Sequence, residues 1–305
     1  MIASFFFFLV GEAFIQIYSS RYPIYDIEML HYANQLKMEY SDPLVGHFHQ
    51  PNKTARLMGV EISTNSDGFR GRDYSLLRGE ARRLIFLGDS LTLGWGVKKE
   101  DTFSSILEEK FSHVRPTEII NFGVGNYNTE QEAHLFLDKG LRYHPDEVVL
   151  FYFINDAEIT KPENFKNFLR YSDLAAFYWS VATHFSGKLD YQSYYHGLYK
   201  EGWAGWARSK DAFLLLKRIC DEKGIKLRVV LLPELHRLTD YPFKKEHALV
   251  KDFLDENNIS CLDLAPFFYK KEPASKLWVA KDDAHPNAAA HHLIADACER
   301  FVAND

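Results

Sequence analysis

Leu84-Ile85-Phe86-Leu87-Gly88-Asp89-Ser90-Leu91-Thr92-Leu93-Gly94-Trp95 is the stretch that decides the fold. Its first half is an apolar run with no polar alternation, which reads as a strand buried on both faces. The run meets glycine, aspartate and serine, and a helical pattern follows from Glu100. A strand that stops at a tight turn offers one hydroxyl at its C-terminal end. In open α/β sheets that edge is where ligands bind. A serine placed there becomes a nucleophile when a histidine and a carboxylate reach it from elsewhere in the chain.

Outward from this stretch, strands and helices alternate. The sequence predicts strands over 83–87, 118–122, 147–153, 226–232 and 259–262. It predicts helices over 102–111, 129–141, 210–223, 245–256 and 286–302, the last with Pro286 in its first turn. Alternation of this kind implies a parallel sheet covered by helices on both faces, in three layers. Residues 82–305 form this main domain. Residues 21–81 are an extension, in which Val60-Glu61-Ile62-Ser63-Thr64 alternates like a strand and Asn65-Ser66-Asp67-Gly68 reads as a turn. Residues 157–209 break the alternation and carry Phe177-Tyr178-Trp179, Tyr191, Tyr194-Tyr195, Tyr199, Trp203 and Trp206. So long a connection is a lid, a binding loop or a hydrophobic insertion packed on itself. Aromatic faces there suit sugar rings.

The chain of 305 residues has a net charge of −6 and no long basic run, which argues against nucleic acid as a partner. Cys220, Cys261 and Cys298 are too scattered for a disulfide framework or a zinc site. Residues 1–20 are mostly apolar, near the lower limit of about 17 residues for a membrane span, with Glu12 and Gln16 toward one end. They are expected to form an uncleaved membrane anchor, with the main domain outside the cytoplasm. No signal for an oligomeric state is present.

Four segments lie at strand ends or helix starts: Gly88-Asp89-Ser90-Leu91, then Asn121 to Thr129, then Phe153-Ile154-Asn155-Asp156, then Asp282-Asp283-Ala284-His285-Pro286-Asn287. Parallel strands all end on one edge, so these segments can converge. Ser90 is the candidate nucleophile and His285 its base. Asp282 is expected to hold the imidazole, with Asp283 as its competitor. The N–H of Ser90, a glycine N–H of the second segment and the side-chain amide of Asn155 are candidate oxyanion donors. Gly125 is the choice within the second segment, and register leaves Asn126 or Gly123 open.

In this order, these segments resemble the four blocks of the SGNH hydrolases, the GDSL esterase/lipase family, over roughly residues 82–303. The resemblance implies a flavodoxin-like doubly wound sheet with its first three strands in the order 2-1-3. It also implies ester hydrolysis with no metal or cofactor. Two positions depart from the family pattern: Phe153 and Asn126 each stand where a glycine is usual. The extension, from Gly59-Val60-Glu61 to Gly68-Phe69-Arg70, is similar to membrane-associated bacterial members. The expected activity is that of a serine esterase removing small acyl groups, such as acetyl, from a carbohydrate, with an acylated small molecule or polysaccharide as substrate. The alternatives are an acyltransferase acting on envelope polysaccharide, a lysophospholipase or thioesterase, and a non-catalytic glycan-binding subunit.

Overall fold

The computed structural model describes residues 2–160, 171–185, 190–269, 271 and 273–303. Two helices, α1 (Ile2–Arg21) and α2 (Tyr25–Gln35), lead into two short antiparallel pairs. These are β1 (Lys37–Glu39) with β2 (His47–His49), and β3 (Thr54–Leu57) with β4 (Val60–Ser63). The main domain follows with β5 (Arg82–Gly88), α3 (Ser90–Leu93), α4 (Phe103–Ser112), β6 (Thr117–Gly123), α5 (Thr129–Leu135) and β7 (Glu147–Tyr152). Then come α6 (Asp173–Phe185), α7 (Tyr191–Leu198), α8 (Ala204–Lys223), β8 (Lys226–Leu231), α9 (Lys244–Glu256), β9 (Ser260–Asp263) and α10 (Ala265–Phe268). The chain closes through β10 (Trp278–Ala280), β11 (Asp283–Pro286) and α11 (Ala288–Ala303).

Five of these strands pair in the order β6-β5-β7-β8-β9, all parallel. This is the flavodoxin-like α/β arrangement expected from the resemblance, with the first three strands in the order 2-1-3. The apolar runs serve both faces, because successive strand side chains point to opposite sides. Ile85, Leu87, Val148 and Leu150 join one core with Phe213 and Leu216 of α8. Leu84, Phe86, Val149 and Phe151 join the other with Phe103 and Leu107 of α4 and Ile294 of α11. At about 1.5–3 kcal/mol for each fully buried large apolar side chain, these two layers supply most of the driving force.

The closing helix begins at Ala288 rather than Pro286. Residues 283–286 are already committed to a hairpin, with Trp278 opposite Pro286 and Ala280 opposite Asp283. Asn287 caps the helix instead, its side-chain oxygen accepting from the N–H of Ala290 at 3.2 Å. The turn predicted at 65–68 is present: Gly68 has φ 91° and the Asn65 side chain accepts from the N–H groups of Asp67 and Phe69.

Among the described residues no helix is long and apolar enough to cross a membrane, so the spanning anchor read from residues 1–20 has no support. Glu12, which had looked like a charge near the end of a span, caps α6. Its carboxylate accepts from the Ser172 hydroxyl and from the N–H groups of Asp173 and Leu174. Burial opposes its ionisation, but these donors outweigh it and hold its pKa below the ordinary value. The aromatic insertion is helical where described, and residues 161–170 and 186–189 of it lie outside the described residues. It does not pack only on itself: Leu198, Tyr199 and Trp206 enter the main core.

Two glycines let α3 press against the strand ends. A Cβ at Gly123 would lie 2.0 Å from the backbone nitrogen of Leu93, and one at Gly88 2.0 Å from Oγ1 of Thr92. Gly123→Ala is therefore expected to lower stability in urea denaturation by about 2 kcal/mol, an overpacking cost. Gly79→Ala, where an added Cβ meets nothing within 4 Å, should change it by less than about 0.5 kcal/mol.

Candidate active site

Ser90 is the first residue of α3. Asp89 precedes it as the cap, its carboxylate accepting from the N–H of Leu91 at 2.8 Å, and Gly94 at φ 82° ends the turn. The far end of α3 is braced from the extension. The buried guanidinium of Arg70 donates to the carbonyls of Leu93 and Gly94 at 2.7 Å and of Val97 at 2.6 Å. A cation on these carbonyls satisfies groups a helix end leaves open. Burial pulls the Arg70 pKa down to about 10, which still leaves it charged at neutral pH.

Ser90 and His285 meet although 195 residues separate them: Ser90 Oγ lies 2.8 Å from His285 Nε2. The other ring nitrogen, Nδ1, faces Asp283 Oδ1 at 2.5 Å. Asp283 is almost fully buried, accepts from the N–H of His285 at 3.0 Å and from Trp95 Nε1 at 2.9 Å, and stays below the ordinary carboxylate pKa. Burial acts against that lowering, and the His285 contacts outweigh it. Asp282, the residue expected in this place, sits exposed in the turn between β10 and β11. The reason is the strand period. In β11, residues 283 and 285 share a face, whereas 282 belongs to the turn.

The second segment also differs from expectation. The N–H of Gly125 is taken by the hydroxyl of Tyr32 at 2.8 Å, and its carbonyl faces His47 Nε2 at 3.0 Å. The N–H of Gly123 goes to the side-chain oxygen of Asn121 at 2.8 Å. Gly125 is thus buried against the extension and does not turn its N–H to the serine. Asn126 has φ 68°, the left-handed conformation that glycine and asparagine tolerate best, at the position where the family pattern has glycine. Its side-chain oxygen accepts from Lys37 Nζ at 2.8 Å. Asn155 follows β7 in a single 3₁₀ turn, and its side-chain oxygen is buried with no partner among the described residues.

Beside His285 lies a cleft of about 200 Å³, walled by Tyr25, Phe153, Tyr195, Glu234 and His236. Phe153 thus lines the cleft. Tyr25 comes from the extension, its ring centroid 5.8 Å from that of His285. Sequence reasoning found Tyr195 as part of an aromatic-rich stretch but not Tyr25, Glu234 or His236. Of these, only Glu234-Leu235-His236, just past a predicted strand end, carried a signal of position.

Behind the serine, three buried carboxyls lie close enough to influence one another. Burial pushes Asp89 up to about 6, with the N–H of Leu91 and the charge of His285 pulling the other way. Glu132 is raised well above its ordinary value by burial and then by Asp89, and Asp156 by burial and then by Glu132 and Asp89. Both carboxyl oxygens of Glu132 lack partners among the described residues. A carboxyl raised in the folded chain binds more protons there than when unfolded. Its contribution is fully present below the unfolded pKa and is lost as pH rises through the folded one. Glu132→Gln removes this titration. Its urea midpoint relative to the wild type should rise as pH increases above the ordinary carboxylate range; a gap that stays constant with pH would show that Glu132 is not raised by folding.

A search of curated proteins finds no match. Among solved structures, an acetyl xylan esterase, AlAXEase, aligns at 19% identity over 72% of this chain and 99% of its own, with a TM-score of 0.47. A two-domain esterase (CEX) active on acetylated mannans, co-crystallised with mannopentaose, aligns at 15% identity over 73% of this chain and 49% of its own, with a TM-score of 0.48. The psychrotrophic esterase EstA from Pseudoalteromonas sp. aligns at 14% identity over 73% of this chain and 100% of its own, with a TM-score of 0.47. The profile of the GDSL-like Lipase/Acylhydrolase family matches residues 86–293, most of the chain from the strand before Ser90 to the helix after His285, and this protein belongs to that family of serine esterases.

Proposed function

We propose that this esterase cleaves a small acyl group, acetyl above all, from a hydroxylated carbohydrate through an acyl-enzyme on Ser90. The observation that carries the reading is the unbroken chain of contacts from Ser90 Oγ to His285 Nε2 at 2.8 Å and from His285 Nδ1 to Asp283 at 2.5 Å. His285 takes the Ser90 proton as Oγ bonds to the ester carbonyl carbon. Asp283 accepts from Nδ1–H, fixing the tautomer and stabilising the imidazolium that forms. The negative carbonyl oxygen is met by the N–H of Ser90, the N–H of Asn126 and the amide of Asn155. One such donor is typically worth about 3 kcal/mol of barrier. His285 then gives its proton to the departing alcohol oxygen. Water repeats the sequence on the acyl-enzyme and frees Ser90.

The aromatic walls of the cleft and its small volume support a short acyl ester of a ring alcohol over a long-chain lipid. Hydrolysis of p-nitrophenyl acetate tests the assignment. Ser90→Ala should remove turnover above background, and Asp283→Asn should lower kcat by about 10⁴-fold, as wrong-tautomer variants of such triads do. Asp282→Asn should stay within about threefold of wild type, and Asn155→Ala should lose about 10²–10³-fold. Turnover by Ser90→Ala equal to the wild type would leave the non-catalytic glycan-binding reading in its place.

A further inference from the structure

A second histidine–carboxylate pair faces the same cleft, and no step of the proposed hydrolysis uses it. Glu234, almost fully buried, accepts from the backbone N–H of His236 and from its Nδ1. The imidazole is held between two rings, with centroids 4.9 Å from Tyr191 and 5.1 Å from Trp278. Trp278 is itself fixed, donating Nε1–H to the carbonyl of Leu235 at 2.8 Å. The ring is therefore locked in place by three neighbours, yet the side chain is 46% exposed. Its Nε2 has no partner among the described residues. A polar group so firmly positioned beside a reaction site, with one end open, is preorganised to orient a bound group.

We infer that His236 Nε2 binds a hydroxyl of the alcohol half of the ester, so that the cleft between His285 and His236 is a subsite for a neutral, hydroxylated sugar ring. The inference deepens the proposed esterase activity and rests on it. Direction comes from the chemistry of the step. His285 must protonate the departing oxygen, so the alcohol lies on the His285 side of Ser90, and the cleft opens there. The faces of Tyr25, Tyr195 and Phe153 on the cleft wall suit the apolar C–H face of a sugar ring.

Charge excludes the alternatives. Asp282 and Asp283 line the cleft beside the neutral Glu234–His236 pair, so a carboxylate or phosphate on the substrate would meet like charges. A hydroxyl suits His236 in either state, because it can donate to the neutral Nε2 or accept from Nε2–H of the imidazolium. Glu234 favours the imidazolium by raising the His236 pKa, and Glu234 neutralises the charge it creates.

The test compares two esters that share an acetyl group. p-Nitrophenyl acetate has no hydroxyl on its alcohol half, whereas partially O-acetylated xylooligosaccharides have several. His236→Ala should raise KM for the oligosaccharides about five- to tenfold with kcat little changed, the loss of one hydrogen bond. Turnover of p-nitrophenyl acetate by the same variant should stay within about twofold, which also reports intact folding. His236→Gln, which keeps a donor and an acceptor, should fall between wild type and His236→Ala on the oligosaccharides. Equal losses on both esters, or no loss on the oligosaccharides, would overturn the subsite. So would a wild-type enzyme that cleaves p-nitrophenyl acetate but no hydroxylated ester. Failure of the esterase reading has a separate signature, Ser90→Ala as active as wild type on p-nitrophenyl acetate.

Discussion

The close approach of α3 to the ends of β5 and β6 is the constraint on which the site depends. Gly88 and Gly123 pair across the two strands, and neither position has room for a methyl group. With both side chains absent, the first turn of α3 lies directly on the sheet edge. Ser90 is then held by the sheet rather than by a mobile loop. Precision of this kind matters because a nucleophile displaced by about 1 Å can lose about 10²-fold in rate. The opposite edge of the sheet is fixed by other means. There the buried carboxylate of Glu147 lies 2.5 Å from Arg82 and 2.6 Å from Arg228, joining three neighbouring strands at their N-terminal ends. Such a buried network adds little net stability but strongly disfavours a shifted register, in which a charge would be left unpaired.

The extension is part of the catalytic apparatus in the physical sense. Tyr32, Leu36, Leu57 and Ile62 share a core with Leu93 and Trp95, the residues that follow the serine. Trp95 in turn donates to Asp283. Arg70 neutralises the carbonyl end of α3, and Tyr32 takes the N–H of Gly125. Removing residues 21–81 would thus expose apolar surface, release a buried cation and free groups on two of the segments that surround Ser90. The glycine at 125 is explained by this packing. A Cβ there would lie 2.6 Å from the Tyr32 ring, so its small size serves the extension rather than the reacting oxygen.

What the sequence made legible was whatever depends on local pattern. Doubly buried strands announce themselves as apolar runs, and a serine and a histidine at the ends of such runs meet because parallel strands share an edge. What it hid was whatever depends on partners distant in the chain. Choosing between Asp282 and Asp283 required knowing that 283–286 is a strand, since only then does the two-residue period decide which carboxylate shares a face with His285. The oxyanion donor of the second segment depended on which N–H groups the extension and Asn121 had already taken. Glu12 looked like an isolated charge in an apolar run because its partners, Ser172 to Leu174, lie 160 residues away. Tyr25 carried no signal, since one tyrosine in a mixed helix resembles any other.

Electrostatics makes a last demand on the fold. A negative charge must appear on the ester oxygen, yet the serine is surrounded by acidic residues: Asp89 beside it, Asp283 behind His285, Glu132 and Asp156 beneath, Glu234 across the cleft. Were all of them ionised, their summed field would oppose the oxyanion at the low effective dielectric of a buried site. Burial resolves this by acting unequally. Asp283 has its ring nitrogen, indole and backbone donors and stays charged, where its charge favours the imidazolium. Glu234 is matched by His236. Glu132 and Asp156 lack such donors for most of their oxygens, and burial raises both well above the ordinary carboxylate range, which favours their neutral forms. Asp283 is the carboxylate whose donors outweigh burial and hold it ionised, and it is the one the chemistry uses.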